Sequence, residues 1–198
     1  MSLFRLLLVG TLVPTLNLVN QARSKSINTF AGPYIAIIHK LDSCPSDGTL
    51  QLNTRVSHFN PSRPYDLPIF TGNATLKEDL RDNYWSRADL AVRSNNQWKE
   101  NAFIFNFPKQ GCTAIREQVP DFFRVLAKLS GASTDKGTPC VVPAGVYLLK
   151  NEMVNLTFPN FPVIPYARYR FKVTASHSRN FDTPLLCLAV DCEAIPKP

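Results

Sequence analysis

The fold is decided by three segments in the second half of the chain, which read GTPCVVPAGVYLL (137–149), FPNFPVIPYARYRFKVTAS (158–176) and LLCLAVD (185–191). Within the second segment, three large apolar residues alternate with three cations over 168–173. Because successive side chains of a strand point to opposite faces, this alternation predicts a strand with one buried and one solvated face. The third segment is apolar at consecutive positions over 185–190, so we expect it to lie inside a sheet or against the core.

Strand patterns also occupy the first half of the chain, separated by turn signals. A shorter, more polar strand is predicted at 50–58, and apolar strand patterns are found at 33–41, 69–80, 84–92 and 98–107. The dipeptide Asn95-Asn96 stands between the last two runs and predicts a β-hairpin. In the second arm of this hairpin, Phe103, Phe105 and Phe107 recur at every second position and therefore share one face.

One helix is predicted, at 121–129 (DFFRVLAKL). Its apolar residues fall at three- and four-residue spacing, Asp121 stands at its start, and Gly131 follows its end. About seven strands and this one short helix, with turn signals roughly every ten residues, predict a mostly all-β antiparallel sandwich.

The first residues have the layout of a secretory signal peptide. A short positively charged start is followed by an apolar run over 6–13, and a mixed stretch ends near Ala22. The apolar run is too short to span a bilayer. We therefore predict a signal peptide at 1–22 and a single secreted domain at 23–198. The whole sequence is 44% hydrophobic, which is sufficient for one sizeable core.

The five cysteines are informative because disulfides form in secreted proteins. Cys187 and Cys192 would point to opposite faces of one straight strand, so they cannot bond to each other there. The simplest remaining scheme joins Cys44 to Cys187 and Cys112 to Cys140, and leaves Cys192 free or paired between chains. Spacing alone does not fix this connectivity.

Two N-glycosylation sequons agree with secretion, one at Asn73 (NAT) and one at Asn155 (NLT). The chain also has a net charge of +7, which favours acidic partners such as anionic lipid head groups, sulfated glycans or nucleic acid. No dense basic run is present, and the aromatic–basic motifs of nucleic-acid-binding modules are missing, so we expect no nucleic-acid partner.

The sequence offers little for catalysis or metal binding. His39, His58 and His177 are far apart, and no C-x-x-C or H-x-x-x-H spacing occurs. The motifs of serine hydrolases, phosphate loops and dinucleotide sites are also missing. Cys192 and His177 are a conceivable nucleophile–base pair, but a spare cysteine at a strand end explains Cys192 more simply. We therefore expect a non-enzymatic protein without a metal ion or cofactor.

Phenylalanine is abundant, with 13 residues, and many of these fall on strand faces predicted to point inward. The side chains could fill an ordinary sandwich core. Alternatively, the two sheets could splay so that the aromatic residues line a cavity. Periodicity does not separate the two alternatives.

A set of spaced motifs runs through the second half of the chain: Gly111-Cys112, GTPCVVPAGVY at 137–147, ARYRF at 167–171 and LLCL at 185–188. In this order they resemble the ganglioside-activator branch of the lipid-recognition (ML) family. The chain looks closer still to insect secreted relatives of that branch, some of them associated with contact-pheromone sensing, because NATLKEDL at 73–80 and the segment 96–107 also fit. The resemblance covers about residues 41–192 and is strongest from Cys112 onward.

The resemblance implies an immunoglobulin-like sandwich opened into a cup whose interior takes lipid acyl chains. It also implies the two disulfides Cys44–Cys187 and Cys112–Cys140. The further cysteine pairs that ganglioside activators carry around the helix are missing here, so specificity for glycolipids is not implied.

The predicted lining of this cup comes from the strand faces and the helix face. The predicted cavity residues are Leu90, Val92, Phe103, Phe105, Phe107, Phe122, Phe123, Leu126, Tyr169, Phe171, Val173, Leu186 and Leu188. The loop at 159–165 is predicted to form a rim, with Phe158, Phe161 and Ile164 exposed and able to dip into a lipid surface.

These expectations combine into a function. The chain is expected to be a secreted carrier that binds a lipid, fatty acid or hydrocarbon pheromone between two β-sheets, with a membrane surface or receptor as a further partner. The alternative is a secreted interaction module with a filled core, which binds a receptor or glycan through the basic strand face. An apolar hollow between the sheets would favour the carrier.

Overall fold

The computed structural model describes residues 30–197, and the predicted signal peptide at 1–22 lies outside the described residues. The strands are β1 (Ala31–Gly32), β2 (Tyr34–Ser43), β3 (Leu50–Val56), β4 (Ile69–Leu76), β5 (Leu80–Arg81), β6 (Trp85–Ser94), β7 (Gln97–Phe107), β8 (Val141–Val142), β9 (Gly145–Met153), β10 (Ile164–Pro165), β11 (Arg168–Ser176) and β12 (Leu186–Pro196). The helices are α1 (Gly111–Gln118) and α2 (Pro120–Ser130). The chain is therefore mostly β, as predicted.

The larger of the two main sheets contains the strands with the clearest alternation. Its order is β2–β12–β11–β6–β7, and all its neighbours are antiparallel. The doubly apolar strand β12 lies inside this sheet, as predicted. The predicted hairpin is β6–β7, and its turn residues Asn95 and Asn96 have φ angles of 50° and 60°. Asparagine tolerates this left-handed conformation better than most residues, which explains why the turn forms there.

The smaller sheet has the order β3–β4–β9 and is also antiparallel. It joins the larger sheet along one side, where β3 lies close to β2 and β12. There the backbone N–H of Leu50 donates to the carbonyl of Leu185 at 3.0 Å. Two short ladders, β1–β10 and β5–β8, complete the pairing in the described part of the chain.

Two hydrophobic cores are present within residues 30–197. The first core lies between the smaller sheet and the two helices, and its buried residues are Leu50, Phe70, Ala74, Leu76, Leu80, Tyr84, Cys112, Phe123, Val125, Leu126, Ala127, Cys140, Val142, Leu149, Val154 and Leu185. The second core is smaller and lies on the larger sheet; Tyr169, Cys192 and Ala194 form its buried centre. The two cores meet at Ile38 of β2, which packs against both of them.

The predicted helix is α2, with Pro120 in its first turn and Gly131 at its end. Gly131 has a φ of 76°, and its N–H donates to the carbonyl of Ala127 at 2.8 Å. Glycine adopts this conformation without strain, so the sequence signal for the helix end has a direct physical basis.

A second helix, α1, precedes the one that the sequence predicts. Its N-cap residue, Gln110, makes no side-chain capping bond. Instead, the Asp82 carboxylate accepts hydrogen bonds from the N–H and the hydroxyl of Thr113, both at 2.7 Å. Arg116 is buried and donates to the carbonyls of Asp135 and Thr138 at 2.8 and 3.1 Å. Contacts with distant residues therefore hold this helix, and a local sequence pattern does not reveal them.

Both disulfides form in the predicted pairing. Cys44 and Cys187 have Cα atoms 5.0 Å apart, and Cys112 and Cys140 have Cα atoms 5.6 Å apart. The first bond joins the end of β2 to the start of β12. The second joins α1 to the segment before β8. Within residues 30–197, no helix is long and apolar enough to cross a membrane.

Candidate functional site

One face of the larger sheet carries two neighbouring apolar rows across its strands. The strand register gives them as Phe103–Leu90–Phe171–Val190 and Phe105–Ala88–Val173–Leu188. Directly opposed residues of antiparallel strands project from the same face, so the two rows form one surface. We call these eight residues the inner groove. The second core adjoins the groove on the same face of the sheet, since Phe171 and Val190 pack against it.

The inner groove is only partly covered by the rest of the protein. Phe103 keeps 45% of its surface exposed, although Leu90, directly opposite, is buried. Phe105, Val173 and Leu188 are half-buried. Phe103 and Phe105 belong to neither of the two cores. The groove is therefore an apolar strip that is open to solvent at its β7 end.

The structure divides the predicted cavity residues into three groups. The groove contains Leu90, Phe103, Phe105, Phe171, Val173 and Leu188, and Phe107 continues the β7 row beside it. The second core contains Tyr169 and, packed against it, Val92. The first core contains Phe123 and Leu126 and, packed against it, Phe122 and Leu186.

The three predicted cavity residues of α2 are therefore core residues. Phe123 and Leu126 are 1% and 4% exposed, and the ring of Phe122 lies 5.9 Å from that of Phe70, between centroids. They are buried because α2 packs against β9 of the smaller sheet and against β8. The helical spacing indicated correctly which face is buried, but it did not indicate against which sheet.

The loop predicted as an exposed rim folds onto the inner groove. Phe158 stacks on Phe171 with ring centroids 6.4 Å apart, and Phe161 meets Phe105 edge-on at 5.0 Å. Ile164 packs against the second core. The prediction that these three residues are exposed is therefore wrong, since aromatic and apolar contacts with the sheet leave each of them half-buried. Val163, beside them, is exposed instead.

Two residues of the inner groove, Ala88 and Val190, are missing from the predicted set. Both continue alternations that the sequence shows, Ala88 with Leu90 on β6 and Val190 with Leu188 on β12. Extending each period-two pattern by one step would have found them.

Two recesses indent the described surface. The first, of about 490 Å³, is lined mainly by the polar residues of 43–53, which do not suit an apolar ligand. The second, of about 520 Å³, is lined by Leu90, Phe171 and Val190 of the inner groove and by charged and polar residues, which are Lys40, Asp42, Asp89, Glu100, Asn101, Arg170, Lys172 and Asp191. Both volumes are within the usual range of ligand pockets. Neither recess includes Phe103 or Phe105.

The cations of the 168–173 alternation lie on the opposite, outer face of the larger sheet, where acidic neighbours balance them. Arg168 donates two hydrogen bonds to the carboxylate of Asp191, at 2.7 and 3.0 Å. The guanidinium of Arg170 lies 4.0 Å from the ring centroid of Trp98, which is a cation–π contact. The outer face thus carries both signs of charge, so it is not a uniformly basic surface.

Cys192 is the cysteine that the two disulfides leave over, and it is buried in the second core. Burial raises the pKa of its thiol to about 12, with a smaller contribution from Asp191. A thiol in this environment is a poor nucleophile, because the thiolate is the reactive form. Its burial also opposes a disulfide between two copies of the folded chain.

We expect Cys192 to resist alkylation until the protein unfolds. At pH 8, a pKa near 12 lowers the thiolate fraction at least about a thousandfold relative to an ordinary cysteine, and burial slows the reagent further. The measurement is the rate of labelling with Ellman's reagent, with and without denaturant and without reductant. The Cys192→Ala variant should take up no label even when unfolded, and fast labelling of the folded wild type would contradict the assignment.

His177 and Cys192 are not brought together. His177 follows the end of β11, where it lies 3.1 Å from the Glu78 carboxylate and its ring is 5.0 Å from that of Tyr84. Cys192 lies on β12 and is opposite Tyr169, which is near the start of β11. Tyr169 and Ser176 are seven residue steps apart along β11, a distance of about 23 Å. Among residues 30–197, no group of three or more His, Cys, Asp or Glu side chains could hold a metal ion.

Comparison with protein-family models and with curated proteins finds no match for this chain.

Proposed function

We propose that this chain is a secreted, non-catalytic carrier that holds an apolar ligand along the inner groove, and that it is a relative of the lipid-recognition family. The ligand class is a lipid, fatty acid or hydrocarbon. The observation that supports this proposal is that the inner groove, with its aromatic residues, is only partly covered by the rest of the protein. Inward-facing side chains of a sandwich normally interdigitate with those of the opposite sheet, whereas Phe103 belongs to neither core and stays 45% exposed.

The proposed mechanism is physical. Each methylene group that moves from water onto an apolar surface contributes up to about 0.8 kcal/mol, so a long acyl chain offers on the order of 10 kcal/mol before the costs of ordering it. The ligand would lie on Phe103 and Phe105 and continue toward Phe171. The aromatic contacts that Phe158 and Phe161 make with this surface would then be exchanged for contacts with the ligand.

Two further features support secretion and transport. The two disulfides are typical of extracellular proteins. In the loop at 158–165, Phe158 and Phe161 contact the groove through one aromatic pair each, and each pair is worth about 1 kcal/mol beyond its buried area. A carrier requires aromatic contacts of this size, because an incoming chain can replace them.

The alternative, an interaction module that binds an anionic partner through a basic strand, has less support. Arg168 is engaged by Asp191, Arg87 by Asp89 at 2.7 Å, and Lys40 by Asp42. A partner of negative charge would meet carboxylates as well as cations on this face. The inner groove has no role in that alternative, whereas in a carrier it would hold the ligand.

The experiment compares two neighbouring residues that are almost equally exposed but project from opposite faces. Phe103 lies in the inner groove, whereas Ile104, which is 44% exposed, lies on the outer face opposite Asp89. We expect Phe103→Lys to weaken binding of the fluorescent fatty acid cis-parinaric acid by roughly ten- to a hundredfold, because a cation would be placed in the apolar strip. Ile104→Lys should bind as the wild type does.

The protein for this test is the full chain secreted from insect cells, and organic extraction followed by mass spectrometry should recover a bound apolar compound. A clean ligand-free protein that takes up no cis-parinaric acid would overturn the carrier proposal. Equal binding by both lysine variants would show that the ligand lies elsewhere, and so would overturn the assignment of the groove.

A further inference from the structure

The outer face of the smaller sheet has an apolar edge. Strand β9 is at the edge of that sheet, and its residues Val146 and Leu148 are 69% and 53% exposed. An edge strand presents unpaired backbone N–H and C=O groups, so exposed apolar side chains on it favour pairing with a second chain. Natural proteins cover such an edge or place charges on it.

One of the two sequons faces this edge directly. Asn73 on β4 is opposite Leu148, and Thr75 is opposite Val146. Opposed side chains of antiparallel strands lie about 5 Å apart on one face. Asn73 and Thr75 are two residues apart on β4 and therefore share this face, and the Asn73 Nδ2 donates to the Thr75 hydroxyl at 3.2 Å. A sugar attached to Asn73 would therefore begin within reach of both apolar side chains.

We propose that an N-linked glycan on Asn73 covers Val146 and Leu148 and so prevents the β9 edge from self-associating. In the attachment step, Nδ2 loses a proton and bonds to the anomeric carbon of an oligosaccharide. The bond from that carbon to the pyrophosphate of a polyprenyl donor breaks, and the polyprenyl pyrophosphate leaves together with the proton from Nδ2. The remaining hydrogen on Nδ2 can still be donated to Thr75.

The chemistry of both neighbouring strands suits a sugar as the occupant. A pyranose ring has an apolar face of C–H groups and a polar rim of hydroxyls. On one side of Asn73, Val146 and Leu148 match the apolar face. On the other side, Asn53 is opposite Asn73 and, with Gln51, is exposed on β3, where both side chains can bond hydroxyls. The glycan would thus fit a surface that is polar on one strand and apolar on the next.

The second sequon provides a matched control. Asn155 follows the end of β9, is exposed, and has its backbone N–H bonded to the Asp121 carboxylate at 2.6 Å. It is not opposite either apolar residue in the strand register. A glycan there would add similar bulk and solubility to the protein but would leave the β9 edge open.

The test uses the full chain secreted from insect cells. Enzymatic deglycosylation in heavy-oxygen water, followed by peptide mass spectrometry, should show that Asn73 carries a glycan. Size-exclusion chromatography should then show Asn73→Gln and Thr75→Ala shifting from monomer to larger species, whereas Thr75→Ser, which keeps the sequon, and Asn155→Gln remain monomeric. Adding Val146→Thr and Leu148→Thr to Asn73→Gln should restore the monomer.

The wild-type chain secreted in the presence of tunicamycin keeps an unmodified Asn73, and it should associate in the same way, which excludes misfolding of the variants as the cause. An unoccupied Asn73 in the untreated protein, or an unglycosylated protein that stays monomeric, would overturn the proposal. A glycosylated wild type that dimerises and is made monomeric by Val146→Thr with Leu148→Thr would also overturn it, because the edge would then be an interface between copies. None of these measurements involves an apolar ligand, so their outcome is independent of the carrier proposal.

Discussion

Replacing both Cys44 and Cys187 by serine is expected to leave little folded protein. This bond closes a loop with a sequence separation of 143, whereas the Cys112–Cys140 bond closes one of 28. In the chain-entropy model, these loops correspond to losses of about 5 and about 3.5 kcal/mol in the free energy of unfolding. Because small domains are stable by only about 5–15 kcal/mol, the first loss removes a large part of the total.

The measurement is urea unfolding under non-reducing conditions, followed by circular dichroism and tryptophan fluorescence. The double variant Cys112→Ser with Cys140→Ser is the comparison, and it should lose helical signal first, since Cys112 lies in α1. A larger loss for the Cys112–Cys140 pair than for the Cys44–Cys187 pair would contradict the order given by loop length.

A second large effect is expected for Phe123, which is predicted from sequence as a cavity residue but lies in the first core at 1% exposure. Phe123→Ala should reduce the free energy of unfolding by about 3–5 kcal/mol, because it removes a buried ring and leaves a cavity. Phe103→Ala should cost no more than about 1 kcal/mol, since nearly half of that ring is already in water. The measurement is the urea midpoint of both variants against wild type.

The same two variants also distinguish a groove residue from a core residue by how much a ligand stabilises each variant. Adding cis-parinaric acid should stabilise the wild type against urea and should stabilise Phe103→Ala much less, because ligand binding to the native state adds to stability. For Phe123→Ala, the ligand-induced gain should match the wild type wherever the variant is folded. Equal stability losses in the two variants without ligand would show that Phe103 is also a core residue.

The strands of the larger sheet could be predicted from the sequence because their signal is local. The alternation over 168–173 and the Asn95-Asn96 turn each depend on neighbouring residues, and both appear in the structure where the pattern places them. The start and end of α2 have the same basis, in Pro120 and Gly131. Local steric rules for strands, turns and helix ends were sufficient for these elements.

Helix α1 could not be predicted in this way, and neither could the distribution of the aromatic residues between the core and the groove. Helix α1 depends on Asp82 and on the carbonyls of Asp135 and Thr138, which are distant in sequence. Phe103 and Phe123 both fall on faces with a clear apolar period, yet one is half-exposed and the other is buried. Periodicity indicates which side of an element is apolar, but what lies against that side is decided by the arrangement of sheets and helices.

The Cys44–Cys187 bond also decides how the domain would respond to a mechanical load. Tyr34 and Pro196 pair at one end of the β2–β12 ladder, so a force that pulls these ends apart would open that ladder one backbone pair at a time. The covalent bond stands at the other end of the ladder, beyond the pair Ser43 and Leu188. Tension would then pass directly from Cys44 to Cys187, so only the β12 residues of the groove, Leu188 and Val190, would lie in the stretched path, and both helices would remain outside it.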